Sequence, residues 1–316
     1  MLENVTFGTG VKSIGDNAFY NCDSLGEIRL NEGLETIGEK AFYSSGVKSI
    51  TIPASVTKIG KSAFESSGLE NAIILARAFQ GVGERMFYNC RSLENVVIEN
   101  LSLISKQMFM NCTSLQSVAI PESVSKIGIE AFSNCTSLQR VDIFEGVTDI
   151  DNRAFLSCKS LQSIIIPDSV TRLGYEAFRN CISLKSAVIS GRFKTAGAKS
   201  VGSYAEKQSL TFADCSELET VVFNQGAKMV APYMFDKCKN KKIVILSDGM
   251  VHIYQQGFRY CESLEEITIP KSVTKIEKYV FTACSSLKNI YVEGKSPDNI
   301  TNEPWGATKA TIHWNQ

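Results

Sequence analysis

The chain has 316 residues, of which 33 are lysine or arginine and 33 are aspartate or glutamate, so its net charge is zero. A neutral chain has no long-range field that attracts nucleic acid or an anionic membrane, and we expect neither as a partner. No window approaches the roughly 20 consecutive apolar residues of a membrane-spanning helix. The first residues also lack the basic and apolar segments of a signal peptide. We therefore expect a piece of a longer protein whose targeting and anchoring signals lie outside this sequence.

A phenylalanine recurs through the chain every 22 or 23 residues, with one gap of 34. A fixed period of this length predicts a solenoid of stacked coils, each too small to bury its own apolar side chains. These repeat phenylalanines are Phe19, Phe42, Phe64, Phe87, Phe109, Phe132, Phe155, Phe178, Phe212, Phe235, Phe258 and Phe281.

The first element of each repeat has the pattern L-x-x-I-x-I, which alternates apolar and polar residues and is rich in β-branched types. This pattern predicts a strand, and stacked coils place such strands in parallel about 4.8 Å apart. A proline that follows the pattern ends the strand because it has no N–H for the ladder. Such prolines are Pro53, Pro121, Pro167 and Pro270.

The second element is an apolar pair followed by glycine, as in Val56, Ile59 and Gly60, and the glycine predicts a tight bend. The third element is the A-F step, which predicts a short helical turn. The resulting fold class is α/β and β-rich, a solenoid of about 12–13 coils of 22–23 residues with one parallel sheet and short helical turns.

Three irregularities interrupt the repeat. Lys241 replaces the leucine that begins a strand pattern, which predicts a weak coil. The gap of 34 residues contains an insertion loop near 191–208, and residues 294–316 break the period and contain both tryptophans, Trp305 and Trp314. We predict a solenoid over 1–293 and a C-terminal cap over 294–316, because a terminal coil needs a cover. The alternative for the tryptophans is carbohydrate or partner binding.

Ten cysteines each follow a repeat phenylalanine by three residues, with Ser45 and Ser67 at that position in two coils. Zinc sites use pairs of cysteines two to four residues apart, so this spacing excludes a zinc site. Disulfides between adjacent coils are within reach, but neighbour pairing leaves at least two thiols over. We expect a buried column of free thiols that act as small hydrophobic groups, with no metal and no cofactor.

No catalytic residue is predicted. The two histidines, His252 and His313, lie in different parts of the chain and outside any recognised motif, and we expect His252 to be exposed. Glu265 and Glu266 are adjacent on a strand and point to opposite faces, so they cannot act on one substrate.

The repeat resembles the BspA-like leucine-rich-repeat family, whose units carry I-x-I-P, V-x-x-I-G, A-F and C-x-S-L in this order. Residues 50–64 (ITIPASVTKIGKSAF) and 267–281 (ITIPKSVTKIEKYVF) show the match. Met86 and Met108 in place of alanine, and the missing asparagine of ordinary leucine-rich repeats, depart from it. The resemblance implies a leucine-rich-repeat solenoid and a secreted or surface-displayed protein of anaerobic bacteria or mucosal protists that adheres to host matrix proteins or other microbes.

Candidate binding residues lie on the outward face of the strands, where side chains alternate with the inward isoleucines. The outward position between the two inward residues becomes apolar in the middle of the chain. The hypothesis is a recognition surface formed by Ile165, Val188, Val222, Ile245, Arg192, Lys194 and Lys199. The alternative is that valine and isoleucine are present only for their strand propensity.

The sequence therefore predicts a non-catalytic, extracellular or cell-surface adhesion module that binds a macromolecular partner through its strand face. The expected partner is a protein, either a host extracellular-matrix protein or a microbial surface protein, and the chain is expected to be a monomer. The alternatives are a structural spacer that holds another domain of a larger surface protein and a binder of the enzyme-inhibitor type.

Overall fold

The computed structural model describes residues 2–76, 83–190, 209–294, 300 and 304–315, together with the backbone of 195–196. These residues form strands, turns and bends, and none of them is helical. A helix long and apolar enough to cross a membrane is accordingly not found in the described part of the chain. The chain divides into two units, Met1–Lys159 and Ser160–Gln316, which together contain about 12 turns of a leucine-rich-repeat solenoid.

The described part of unit 1 contains thirteen strands. Strands of three or four residues, the main strands, come from the L-x-x-I-x-I pattern. Two-residue minor strands consist of the second residue of the apolar pair and the residue before it. The strands are β1 Asn4–Thr6, β2 Ser13–Ile14, β3 Glu27–Arg29, β4 Thr36–Ile37, β5 Ser49–Ile52, β6 Lys58–Ile59, β7 Asn71–Ile74, β8 Asn95–Ile98, β9 Leu103–Ile104, β10 Ser117–Ile120, β11 Lys126–Ile127, β12 Arg140–Ile143 and β13 Asp149–Ile150.

The described part of unit 2 contains twelve strands of the same two kinds, except that the last two have five residues each. They are β14 Ser163–Ile166, β15 Arg172–Leu173, β16 Ser186–Ile189, β17 Thr195–Ala196, β18 Thr220–Phe223, β19 Met229–Val230, β20 Ile243–Ile245, β21 His252–Ile253, β22 Glu266–Ile269, β23 Lys275–Ile276, β24 Asn289–Glu293 and β25 Thr311–Asn315.

Within a ladder, main strands pair in parallel with the main strand of the next coil. In unit 1, β5, β7 and β8 form one such ladder, and in unit 2, β14, β16, β18 and β20 form another. Minor strands form ladders of their own, as in β2, β4 and β6. The prediction of one parallel sheet is therefore wrong, because the two-residue step before the glycine is extended enough to pair with its equivalent in the next coil.

Burial alternates along the main strands as the sequence pattern predicts. On β5, Ile50 and Ile52 are buried, whereas Ser49 and Thr51 are exposed. β5 ends directly before Pro53, whose carbonyl accepts a hydrogen bond from the N–H of Val56 at 3.1 Å and closes a turn. The prediction that proline ends the strand is confirmed at this coil.

The A-F step is not a helical turn, and this prediction is wrong. We define the turn segment as the five residues centred on a repeat phenylalanine. Its first and last residues are left-handed, as at Lys40 and Ser44, both with φ 51°. The N–H of Phe42 and that of Ser44 donate to the carbonyls of Ala63 and Glu65 in the next coil at 2.7 and 2.9 Å. A helix would keep its backbone bonds within one segment. Here the N–H of Tyr43 bonds back to the carbonyl of Lys40 at 3.1 Å, and the alternate N–H groups donate to the next coil.

The glycine after the apolar pair is required by close backbone approach rather than by a bend. A Cβ on Gly60 would lie 2.3 Å from the backbone nitrogen of Glu39 in the preceding coil. Its φ lies outside the left-handed region, since Gly146, Gly294 and Gly306 are the positive-φ glycines of the described chain. The glycine therefore permits the coils to stack closely.

Phenylalanine rings form continuous stacks inside each unit. Phe42 and Phe64 have ring centroids 5.0 Å apart and planes at 1°, and Phe178 and Phe212 stack at 5.2 Å and 7°. The second pair spans the 34-residue gap, so the coils on either side of the insertion stack on each other as ordinary neighbours do. β16 and β18 also pair across it.

Candidate functional site

The four aliphatic residues predicted on the strand face of unit 2 lie side by side in one row. Ile165 is the strand partner of Val188, Val188 of Val222, and Val222 of Ile245. Ile165 is 62% exposed and Ile245 is 51% exposed, whereas Val188 and Val222 are half-buried. We call these four residues the outer row of unit 2. The row is a continuous aliphatic strip across four neighbouring strands.

The surroundings of this outer row are mostly polar. The parallel row two residues earlier consists of Ser163, Ser186, Thr220 and Ile243, and Ile243 is 52% exposed. On the other side, a shallow cleft is lined by Val222 and Ile245 together with the polar residues of the following turns. These polar lining residues include Asn224, Gln225, Ser247 and Asp248. The strip is therefore apolar at its centre and polar at its rim.

The predicted basic part of the recognition surface lies outside the described residues. Arg192, Lys194 and Lys199 belong to the stretches 191–194 and 197–208, of which nothing is described. The structure thus brings together the four aliphatic candidates, and a role for the three basic residues stays a prediction.

The corresponding row of unit 1 has different chemistry. Thr51, Ile73 and Val97 are partners on β5, β7 and β8, and only the latter two of these are aliphatic. Elsewhere in this row, Arg29 pairs with Glu27 at 3.0 Å and Asp142 pairs with Arg140 at 2.9 Å. Each of these ion pairs joins two outward residues of a single strand. Unit 1 therefore presents a short aliphatic patch and charged strands, where unit 2 presents the longer strip.

All ten cysteines are free, and nine of them are buried, as predicted. The prediction that they act only as small hydrophobic groups is incomplete, because the thiols also donate hydrogen bonds. Cys112 donates from Sγ to the carbonyl of Phe87 at 3.2 Å, and Cys135 donates to that of Phe109 at 3.1 Å. The same bond to the phenylalanine of the preceding coil recurs in unit 2, as in Cys238. The thiols therefore connect neighbouring coils by hydrogen bonds.

Burial raises the pKa of these thiols, since it disfavours the thiolate. The pKa of Cys90 is raised to about 11 and that of Cys135 to about 12. A nucleophilic cysteine needs a lowered pKa and access to substrate. The buried thiols whose pKa is shifted have a raised pKa and little access to solvent.

Lys241 occupies a fully buried position in unit 2, which the sequence predicted only as a weak coil. Its Nζ has no hydrogen-bond partner and lies 3.9 Å from the centroid of the Phe235 ring. A cation over a ring gains up to about 2 kcal/mol when desolvated, whereas burying one charge costs several kcal/mol. Desolvation therefore dominates, and it lowers the pKa of Lys241 from 10.5, against the opposing influence of neighbouring cysteines.

The two histidines make local contacts in unit 2. His252 is half-buried rather than exposed, which corrects the prediction, because it stacks on Tyr254 at 3.6 Å and its Nε2 lies 3.1 Å from Oε1 of Glu277. Desolvation lowers the pKa of His252 in spite of this carboxylate. His313 bonds to Asn289 at 2.9 Å. Within the described residues, no group of three histidine, cysteine or acidic side chains could hold a metal ion.

The C-terminal residues continue the strand ladder. β25 pairs in parallel with β24 over five residues, and the carbonyl of Trp305 accepts a hydrogen bond from the N–H of Phe281 at 3.0 Å. Trp305 is buried and lies edge-on to Trp314 at 6.4 Å. A cap over 294–316 stays a prediction, and the burial of Trp305 leaves little of that ring for a ligand.

Comparison with known proteins connects this geometry to a family. The profile of the BspA type leucine rich repeat region, with six copies, matches residues 1–115, 102–206 and 206–304. A comparison with curated proteins finds no match.

Three solved structures show the same fold. A leucine-rich repeat protein from Bacteroides ovatus is 24% identical with a TM-score of 0.75, over 99% of this chain and 84% of that one. A leucine-rich repeat protein from Eubacterium ventriosum is 22% identical with a TM-score of 0.56, over 96% and 87%. The pneumococcal vaccine antigen PcpA is 19% identical with a TM-score of 0.55, over 100% and 89%. With its repeat, its ladders and the profile in agreement, this chain belongs to the BspA-type leucine-rich-repeat family.

Proposed function

We propose that this protein is a non-catalytic adhesion module, secreted or displayed at a cell surface, that binds a protein partner through the outer row of unit 2. The observation that carries the proposal is the strip formed by Ile165, Val188, Val222 and Ile245, which exposes aliphatic side chains on four neighbouring strands. Soluble proteins rarely leave contiguous apolar strips in water unless a partner covers them.

The chemistry of the strip favours a protein over a nucleic acid. Protein interfaces combine an apolar centre with a polar rim, and the outer row with Asp248, Asn224 and Ser247 beside it has this arrangement. Nucleic acid requires a basic surface, whereas the described rim carries an acidic side chain at Asp248. Membership of the BspA-type family supports the extracellular setting, and a host extracellular-matrix protein is the partner class that we propose.

The experiment is a binding assay on immobilised extracellular-matrix proteins with the double variant Ile165→Glu plus Ile245→Glu. Both side chains are more than half exposed, so the free energy of unfolding should change by less than about 0.5 kcal/mol for each substitution. Binding should weaken at least about tenfold, because burying an unpaired carboxylate costs more than the 1.4 kcal/mol that a factor of ten represents.

A matched control places the same charges in unit 1. Ile73→Glu plus Val97→Glu changes exposed aliphatic residues at the same strand position, where binding should be unaffected. Equal binding by wild type and the unit 2 variant would contradict the proposal and favour the spacer, for which only the length of the array matters. Loss in the control alone would place the surface on unit 1.

A further inference from the structure

Lys241 stands where leucine stands in the neighbouring coils. One repeat earlier the position is Leu218 and one repeat later it is Leu264, and both are fully buried. The side chain of Lys241 is equally buried, with 0% exposure, although its Nζ has no hydrogen-bond partner. An amine without a hydrogen-bond partner in an apolar stack is the least compatible group in the interior of unit 2.

The groups that face Lys241 come from three coils. The titratable ones are Cys238 of its own coil, Cys215 of the preceding coil and Cys261 of the following one. All three are buried thiols whose pKa is raised, so they stay neutral and provide no counter-charge. The carboxylate of Asp236 is held by Arg259, with bonds of 2.7 and 3.0 Å. No carboxylate pairs with Lys241 in the described part of unit 2.

We propose that the coil from Cys238 to Cys261 is a proton-gated opening point, whose opened form takes up a proton at Nζ of Lys241. The coil contains β20 and therefore Ile245 of the outer row. Opening would remove Ile245 from its neighbours, so falling pH would weaken the recognition surface. This consequence for binding rests on the proposed function, whereas the opening itself does not.

The sign of the effect follows from the position of the amine. In the closed coil desolvation lowers the pKa of Lys241 from 10.5, and in the opened coil the amine is in water with its ordinary pKa. Between the lowered value and 10.5 the opened form binds one proton more than the closed form. The opening constant therefore rises tenfold for each unit by which the pH falls in that window.

The cysteine column supplies one reporter for each coil. Alkylation of thiols with iodoacetamide, followed by mass spectrometry of the peptides, gives a rate for each cysteine that can be divided by its rate in denaturant at the same pH. Between pH 8 and pH 6, below the ordinary thiol pKa of about 8.5, protection of Cys238 should fall by up to tenfold for each pH unit. Cys135, in a coil of unit 1 without a buried amine, should keep its protection.

Two variants isolate the amine. Lys241→Leu restores the residue of the neighbouring coils and should raise the protection of Cys238 at least tenfold at pH 7 while removing its pH dependence relative to Cys135. Lys241→Met gives the same test if leucine disturbs folding. The adjacent Lys242→Leu removes an exposed charge that pairs with Glu219 at 3.4 Å and should leave Cys238 unchanged.

Two results would overturn the proposal. One is equal protection and equal pH dependence of Cys238 and Cys135 in the wild type. The other is a pH dependence of Cys238 that survives in both Lys241 variants. Since alkylation needs no partner, failure of this proposal is distinguishable from failure of the binding assay on the outer row.

Discussion

In the turn segments the same side chains recur from coil to coil, whereas in the outer rows they differ between the two units. Most turn segments bury a phenylalanine that stacks on its equivalents, and most are followed by a thiol that donates to the preceding coil, as in Phe132 and Cys135. The outer row is aliphatic in unit 2 and contains the ion pairs of Arg29 and Asp142 in unit 1. The turn segments are constrained by their neighbours in the stack, and the outer rows are free to specialise.

This difference predicts where change is destabilising and where it alters recognition. Residues of the turn segments should control the free energy of unfolding and have little direct influence on a partner. Residues of the outer rows should have the reverse behaviour. The prediction on the ring stack tests the first half, and the double variants of Ile165 and Val97 described above test the second. The predictions on the thiols and the glycines extend the first half to other interior positions of the coils.

The largest expected effect is alkaline unfolding through the thiol column. The pKa of a thiol in the unfolded chain is about 8.5. Burial raises the pKa of Cys135 and that of Cys284 in the folded chain to about 12. Above the unfolded value the unfolded chain has lost protons that the folded chain keeps. Below the pKa of the unfolded thiol, the free energy of unfolding does not depend on the titration of these thiols. Above it, the free energy of unfolding falls by up to about 1.4 kcal/mol per pH unit for each buried thiol.

Denaturant unfolding at pH 7.5, 9 and 10 measures this slope. The amine of Lys241 acts in the opposite direction, but it is one group against a column of thiols. Cys135→Ala should reduce the dependence of the free energy of unfolding on pH by the contribution of one thiol, up to about 1.4 kcal/mol per pH unit. A free energy of unfolding that stays constant from pH 7.5 to pH 10 would contradict the prediction.

The second prediction concerns the ring stack. Phe132 lies 5.1 Å from both Phe109 and Phe155, with planes at 11° and 1°. Phe132→Ala leaves a cavity between the two rings and should lower the free energy of unfolding by about 3–5 kcal/mol. Val97→Ala in the outer row of unit 1 removes exposed methyl groups and should cost less than about 1 kcal/mol. Similar losses in denaturant unfolding of the two variants would remove the distinction between the regions.

Much of the interior was predictable because stacking makes it repeat. The strand pattern, the proline that ends β5 and the inward direction of phenylalanine and cysteine all follow from apolar periodicity. The outward direction of Ile165 and Ile245 follows from strand alternation in the same way. A binding role for them cannot be read from alternation, since aliphatic residues also favour strands for their own packing.

The turn segments were not predictable in the same way. An A-F step looks helical by propensity, yet alternate N–H groups of its turn segment donate to the next coil. Asparagine before cysteine, as in Asn89 and Asn134, carried a signal, because asparagine tolerates the left-handed region better than most residues. The first left-handed residue carries none, as Lys40 and Gln107 show. Its N–H donates to the next coil, as that of Lys40 does to the carbonyl of Lys61 at 3.0 Å, and the sequence of one repeat does not show this contact.

The full burial of Lys241 could not be predicted from the sequence, for a related reason. A lysine at a leucine position predicts a weak coil. The neighbouring coils close over it instead, and the chain of Lys241 ends beside the ring of Phe235. Burial here depends on three coils together, which the composition of one repeat does not describe.

The smallest expected effect comes from paired glycine substitutions in unit 1. Gly60→Ala places a Cβ 2.3 Å from the backbone nitrogen of Glu39, which cannot move aside as a side chain could. The coils must separate locally, and the free energy of unfolding should fall by about 1–3 kcal/mol. Gly15 has the same place in its repeat, but nothing lies within 4 Å of its Cβ position.

Gly15→Ala should therefore be neutral or raise the free energy of unfolding by up to about 1 kcal/mol, because alanine restricts the unfolded chain. Denaturant unfolding of the two variants shows whether glycine is needed for close approach of the backbones or for a bend in the chain. If the glycine served a bend, both substitutions would destabilise equally. A loss for Gly60→Ala alone would show that the stack itself selects glycine at this position.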